Sequence, residues 1–199
     1  GTIINSKATL VADVAVSEGV ITEIGHLNPS DFPDSKIIDA KGKYIFPGGI
    51  DPHVHLELPT PAGPSCDDFL SGSRAAISGG TTFLIDFVTP SHGQSLMKAL
   101  AFRLKESNKC LVDYTLHMGI TWYDETIPEQ MEWCVNEVGI KSFKAYLAYK
   151  GSIGIEYREL EQVMKKAASL HATVLVHCEE GDEILKNQQN FLSEGKTTP

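Results

Sequence analysis

Two histidines stand a single residue apart in Asp51-Pro52-His53-Val54-His55. At a strand end, residues two apart point to the same face. Both imidazoles can then reach one ion, and imidazole suits zinc and its neighbours. Taken alone, the pair also fits a polar strand face. His177 closes another apolar run, Thr173-Val174-Leu175-Val176-His177, and is followed by Cys178-Glu179-Glu180-Gly181-Asp182. Lys144 lies inside a third, Ser142-Phe143-Lys144-Ala145-Tyr146-Leu147. A lysine buried among apolar residues is costly to keep charged. Desolvation and nearby cations both lower its pKa. A neutral amine can add to carbon dioxide, and the resulting carbamate has two oxygens able to bridge two metals. A lysine elsewhere in the strand more often snorkels outward.

These residues need strands to carry them. Apolar, strand-like runs begin near residues 50, 82, 112, 142 and 173, a repeat of about 30 residues. Helical spacing fills three of the gaps: Leu96, Ala99, Leu100 and Leu104; Leu160, Val163, Met164 and Ala167; and Ile184, Leu185, Gln188, Phe191 and Leu192. Strand-helix alternation implies parallel strands with crossover helices. The repeat matches a (β/α)₈ barrel, whose active site sits at the C-terminal ends of its strands. Residues 47–199 hold about five of the eight units. The fold class expected is therefore α/β, a partial TIM barrel preceded by short β hairpins. A complete doubly wound sheet is the alternative, but no G-x-G-x-x-G follows the first strand. Gly79-Gly80-Thr81-Thr82 precedes a strand and reads as a turn. Residues 1–46 read as short hairpins with too little mass for a comfortable core of their own. The domain expectation is thus 1–46 and 47–199, in a chain that is a piece of a longer one.

The chain has 199 residues, 17 Lys+Arg against 26 Asp+Glu, and 42% hydrophobic residues. That composition fits a folded chain and excludes a disordered polar one. The net charge of −9 argues against a nucleic-acid groove or an anionic membrane partner. No apolar run reaches the length that spans a bilayer. The start lacks the basic and apolar regions of a signal peptide. Cys66, Cys110, Cys134 and Cys178 form no CxxC, so reduced thiols in a cytoplasm and small buried hydrophobes are the expectation.

In combination these motifs resemble the cyclic amidohydrolases, in particular the dihydropyrimidinase and D-hydantoinase branch. Phe46-Pro47-Gly48-Gly49-Ile50-Asp51-Pro52-His53-Val54-His55 is similar to that group's opening signature. The segments around Lys144 and His177 fit the same branch, as do Asp67-Asp68-Phe69, Gly79-Gly80-Thr81-Thr82 and Ile85-Asp86-Phe87. The resemblance covers essentially the whole chain.

The resemblance implies that residues 1–46 are part of a small β-sandwich, and it implies two zinc ions. His53 and His55 bind the more buried one, carbamylated Lys144 bridges both, and His177 binds the second. Tyr149 hydrogen-bonds the substrate carbonyl and the developing oxyanion. Water activated by the metals opens a cyclic amide to an N-carbamoyl amino acid. The substrate implied is a dihydropyrimidine or a hydantoin, and the assembly a homotetramer. The branch also uses a strand-six histidine and a strand-eight aspartate, which acts as proton shuttle. This chain holds four of those six ligands, so the piece alone is expected to be inactive and poorly folded.

Dihydroorotases carry an arginine two residues after the second histidine, where Glu57 stands here. A carboxylate there repels an anionic substrate and favours a neutral ring. Allantoinase is the nearer rival, and Tyr149 favours dihydropyrimidinase. A different class is the non-catalytic scaffold resembling the collapsin response mediator proteins, which have lost metal ligands. Cys178 and Glu180 depart from the branch, where Ala and Asn are usual. Cys178 reads as strand-end packing. The proline-rich run 59–66 is expected to loop over the site mouth. His117 reads as a packing or supporting histidine. Asp86 either orients a ligand histidine or caps a loop. His26, His92 and His171 read as solvated, and Trp122 and Trp133 as helix packing.

Overall fold

The computed structural model describes residues 1–60 and 63–197. It divides into two compact units, 1–49 and 50–199. In the first, β1 (Thr2–Ile4) pairs antiparallel with β2 (Thr9–Val11). Strands β3 (Asp13–Ser17) and β4 (Val20–Gly25) form a hairpin. Its two turn residues, Glu18 and Gly19, both have positive φ, at 51° and 75°. That is the turn whose twist matches paired strands. A fifth short strand, β5 (Tyr44–Ile45), runs parallel to β1. Only Ile3 and Ala12 are buried hydrophobics in this unit, while Val16, Val20, Ile21 and Ile24 of the hairpin are exposed.

The second unit is built on a five-stranded sheet. It opens with β6 (Gly49–Asp51), followed by the two-residue pair β7 (Pro59–Thr60) and β8 (Gly63–Pro64). Next come α1 (Phe69–Ser78), β9 (Thr81–Val88), α2 (Leu96–Ser107) and β10 (Asp113–Ile120). The chain continues through α3 (Ile127–Trp133), β11 (Ser142–Tyr146), α4 (Tyr157–Ser169), β12 (Thr173–His177) and α5 (Gly181–Ser193). The strand order is β6-β9-β10-β11-β12, strictly sequential. A doubly wound sheet reverses order at a switch point; this sheet does not. It is the curled, parallel half-barrel the repeat implies.

Helices α1 and α3 lie in stretches that periodicity alone leaves unmarked. End chemistry accounts for α1: Asp68 and Ser71 cap each other reciprocally. The outer face of the sheet buries Val88, Met118, Ile120 and Phe143 against Leu96, Ile127, Met131 and Val163 of the helices. Burying each such side chain contributes about 1.5–3 kcal/mol. Trp122 and Trp133 pack partly on this core, although Trp122 follows β10 rather than lying in a helix. Among the described residues no helix is long and apolar enough to cross a membrane.

Cysteine burial differs from expectation. Cys134 is buried and Cys110 half-buried, but Cys66 and Cys178 are exposed. Cys178 is therefore not a packing residue. It follows the last residue of β12, where the chain leaves the sheet.

Candidate active site

Sheet register assembles the site. Phe87 of β9 lies opposite His117 of β10, Gly119 opposite Lys144 of β11, and Tyr146 opposite His177 of β12. Residues two apart share a face, so Phe87, His117, Lys144, Tyr146 and His177 line one face in a rising stagger. Gly119 has no side chain to crowd Lys144. A Cβ there would lie 2.5 Å from the Val88 carbonyl oxygen, so only glycine fits.

His53 and His55 lie just past β6, not within it. Val54 N–H still donates to the Ile85 carbonyl at 3.2 Å, which keeps the segment extended beside β9. The imidazole centroids are 5.1 Å apart. Both rings rest on Phe87, at 4.6 Å and 4.7 Å. His55 Nδ1 is buried with no hydrogen-bond partner among the described residues. Its pKa is lowered, chiefly by burial and then by His53, so the ring is held neutral. That is the form a metal needs.

Lys144 is 5% exposed. Its amine sits 5.7 Å from the Phe87 centroid and 5.4 Å from that of Tyr146, with no hydrogen-bond acceptor among the described residues. Burial lowers its pKa, with Cys178 opposing. Burial also pushes the Tyr146 hydroxyl up to about 12, so it stays protonated.

His177 is the last residue of β12 and stacks on Tyr146 at 6.1 Å. Its Nε2 lies 2.6 Å from Glu179 Oε2. The structure therefore gathers His53, His55 and Lys144 around Phe87, and places His177 one contact further along. Among the described residues, no three His, Cys, Asp or Glu side chains converge as a cation cage. The donor set does fit a metal in another respect. It offers an orphaned imidazole nitrogen and an uncompensated amine that a carbamate would turn into an oxygen donor.

Tyr149 sits in the loop after β11 with φ +60°, a conformation costly to a non-glycine residue and typical of functional sites. The bend is enforced by bonds from Ser152 N–H and Gly154 N–H to the Tyr149 carbonyl, both 3.1 Å. Its ring lies 5.2 Å from His177 and its side chain is exposed.

His117 uses both ring nitrogens, Nδ1 at 2.6 Å from Ser142 Oγ and Nε2 at 3.0 Å from the Pro52 carbonyl. It is a supporting residue with no nitrogen left for a metal. Asp86 makes no hydrogen bond to an imidazole among the described residues. It points to the helix side of β9 and accepts from Leu56 N–H at 2.9 Å. Its partner Arg103 of α2 bears no mark in the sequence. An arginine among the polar positions of an amphipathic helix looks solvated, yet this one is 6% exposed.

Glu57 is not a free charge at the mouth. Lys109 lies 3.0 Å from both Glu57 and Asp68, and Phe69 N–H donates to Glu57 at 3.4 Å. Its pairing removes the repulsion expected of it. In the run 59–66, Pro61 and Ala62 lie outside the described residues. Ser65 ties the rest to the histidine segment, its hydroxyl donating to the His55 carbonyl at 3.1 Å. His26, His92 and His171 are exposed, as expected.

Residues 44–199 match the amidohydrolase family. Over its whole length the chain is 40% identical to a dihydropyrimidinase from Dictyostelium discoideum, covering 40% of that protein. It is 38% identical to a D-hydantoinase from Geobacillus stearothermophilus, covering 42% of it. Among solved structures, the D-hydantoinase (dihydropyrimidinase) from Thermus sp. superposes on the full chain with TM-score 0.94 and 38% identity, over 43% of its own length. The chain thus spans about two-fifths of the proteins it resembles.

Proposed function

The chain belongs to the amidohydrolase family, and from that premise we propose that the protein hydrolyses a neutral cyclic amide. The class is a dihydropyrimidine or hydantoin ring, opened to an N-carbamoyl amino acid. The observation that carries the reading is the environment of Lys144: a buried side chain of lowered pKa whose amine has no acceptor among the described residues, beside two imidazoles of which one has an orphaned nitrogen. A charged structural lysine would have a carboxylate there. A lysine destined to become a carbamate needs its amine neutral first. Similarity to dihydropyrimidinases and a D-hydantoinase supports the choice of ring. The charge of Glu57, paired as it is, does not.

In this reading His53, His55, carbamylated Lys144 and His177 would hold two zinc ions, and His177 would give up its contact with Glu179 to do so. The ions supply a water of lowered pKa and a polarised carbonyl. The remaining work is done by side chains. Tyr149 donates its hydroxyl proton in a hydrogen bond to the substrate carbonyl oxygen, which gains charge as water adds to the carbonyl carbon and loses it as the ring nitrogen leaves. Phe87 and Tyr146 keep the amine of Lys144 in apolar surroundings. The protein works as a cytoplasmic homotetramer on a small-molecule substrate, without nucleic acid or membrane. Residues 1–46 contribute to a β-sandwich and residues 47–199 to the barrel.

The test follows hydrolysis of dihydrouracil, hydantoin and allantoin by the full-length protein after loading with zinc and bicarbonate. Turnover of dihydrouracil or hydantoin that is lost in Lys144→Ala is expected. Turnover of allantoin alone would keep the chemistry and change the substrate. Turnover unchanged in Lys144→Ala, or none by metal-loaded wild type, overturns the reading.

A further inference from the structure

We propose that Arg103 and Asp86 form a clamp that positions His53 and His55 for metal binding from the opposite face of the sheet. The inference rests on the metal-site reading above and deepens it. Leu56, the residue directly after His55, is held through both of its backbone polar groups. Its N–H donates to Asp86 Oδ2 at 2.9 Å, and its carbonyl accepts from Arg103 Nη2 at 2.5 Å. The two clamp residues are joined to each other, Arg103 Nη2 to Asp86 Oδ1, at 2.6 Å. Arg103 Nε donates to the Phe87 carbonyl at 3.0 Å. One guanidinium therefore holds both the carbonyl of the residue after His55 and that of the residue on whose ring His53 and His55 lie.

Everything in this arrangement is enclosed: Asp86 is 0% exposed, Arg103 6% and Leu56 9%. Glu106 takes Nη1 at 2.8 Å, and the guanidinium carbon stacks 4.6 Å from the Phe69 centroid. Burying an ion pair costs heavily in desolvation, and an apolar pair often serves stability as well. An apolar pair cannot specify the backbone orientation of one residue by contacting its N–H donor and its carbonyl acceptor together. That orientation matters here because the strand ladder stops at Asp51. Past that point, the direction of the imidazoles is set by anchors such as this one. Partners that orient metal-binding histidines act in the same sense.

The experiment compares wild type, Arg103→Lys and Glu106→Ala of the full-length protein loaded with Co²⁺. The readouts are cobalt bound per folded subunit, its release rate to a chelator, and its visible absorption spectrum. Lysine keeps the charge but cannot span the four acceptors. Arg103→Lys should weaken cobalt retention about 10- to 100-fold, alter the spectrum, and lower kcat with little change in KM. Glu106→Ala removes one partner of the guanidinium and should shift release in the same direction by a smaller factor. Should Arg103→Lys not fold, Glu106→Ala decides alone. Native cobalt release and spectrum in the folded variants, whatever their loss of Tm, overturn the clamp. Wild type that takes up no cobalt overturns the metal-site reading and the clamp with it.

Discussion

His117 Nδ1 lies 2.6 Å from the hydroxyl oxygen of Ser142, on the same strand face as Lys144 and two residues before it. The other ring nitrogen donates to the Pro52 carbonyl, beside His53. With Nε2 carrying the proton, Nδ1 accepts from the serine. A neutral imidazole thus ties the lysine strand to the histidine segment.

This neutrality has a pH consequence. Burial lowers the pKa of His117 and of His55 below the ordinary histidine value. On acidification the unfolded chain binds these protons first, so stability rises with pH and falls as pH drops through 6.5. The metal-free protein should lose Tm between pH 7.5 and 5.5, above the carboxylate range. His117→Gln should lower Tm at pH 7.5 yet flatten that slope. An unchanged slope would show that His117 is not the group responsible.

Tyr149 combines backbone strain with a proposed chemical role, and two variants separate them. Tyr149→Gly relieves the positive φ, worth about 1 kcal/mol or more, but removes the hydroxyl. Tyr149→Phe keeps the strain and removes only the hydroxyl. Both should lower kcat by a factor on the order of 10² to 10³, while Phe leaves Tm unchanged. Full kcat in Tyr149→Phe would remove the hydroxyl from the mechanism.

The four thiols should differ sharply in reactivity. Burial pushes Cys134 up to about 12, and it is enclosed, whereas Cys66 and Cys178 are exposed. A thiol reagent at pH 8 should label Cys66 and Cys178 in the native protein and Cys134 only after unfolding. Mass spectrometry of labelled peptides reads this directly. Native labelling of Cys134 would contradict the packing described.

Much of the site is legible in local pattern. Strand-helix alternation marks the parallel sheet, and His53, His55, Lys144 and His177 stand out because strand ends and apolar runs are visible in the chain itself. Period-2 and period-3.6 spacing are local properties, so they survive without a structure. Other features depend on contacts between residues distant in sequence. Arg103 meets Leu56 across 47 residues and Asp86 across 17, and helical spacing alone cannot say that this arginine turns inward. Asp86 is adjacent to Phe87 but faces the other way, because neighbours in a strand alternate. Glu57 carries its charge into an ion pair that only the placement of Lys109 reveals. The residue types that can do the chemistry were written in the sequence. Which of them meet, and which hold the others in place, was decided by strand register and by helix packing on the outer face of the sheet.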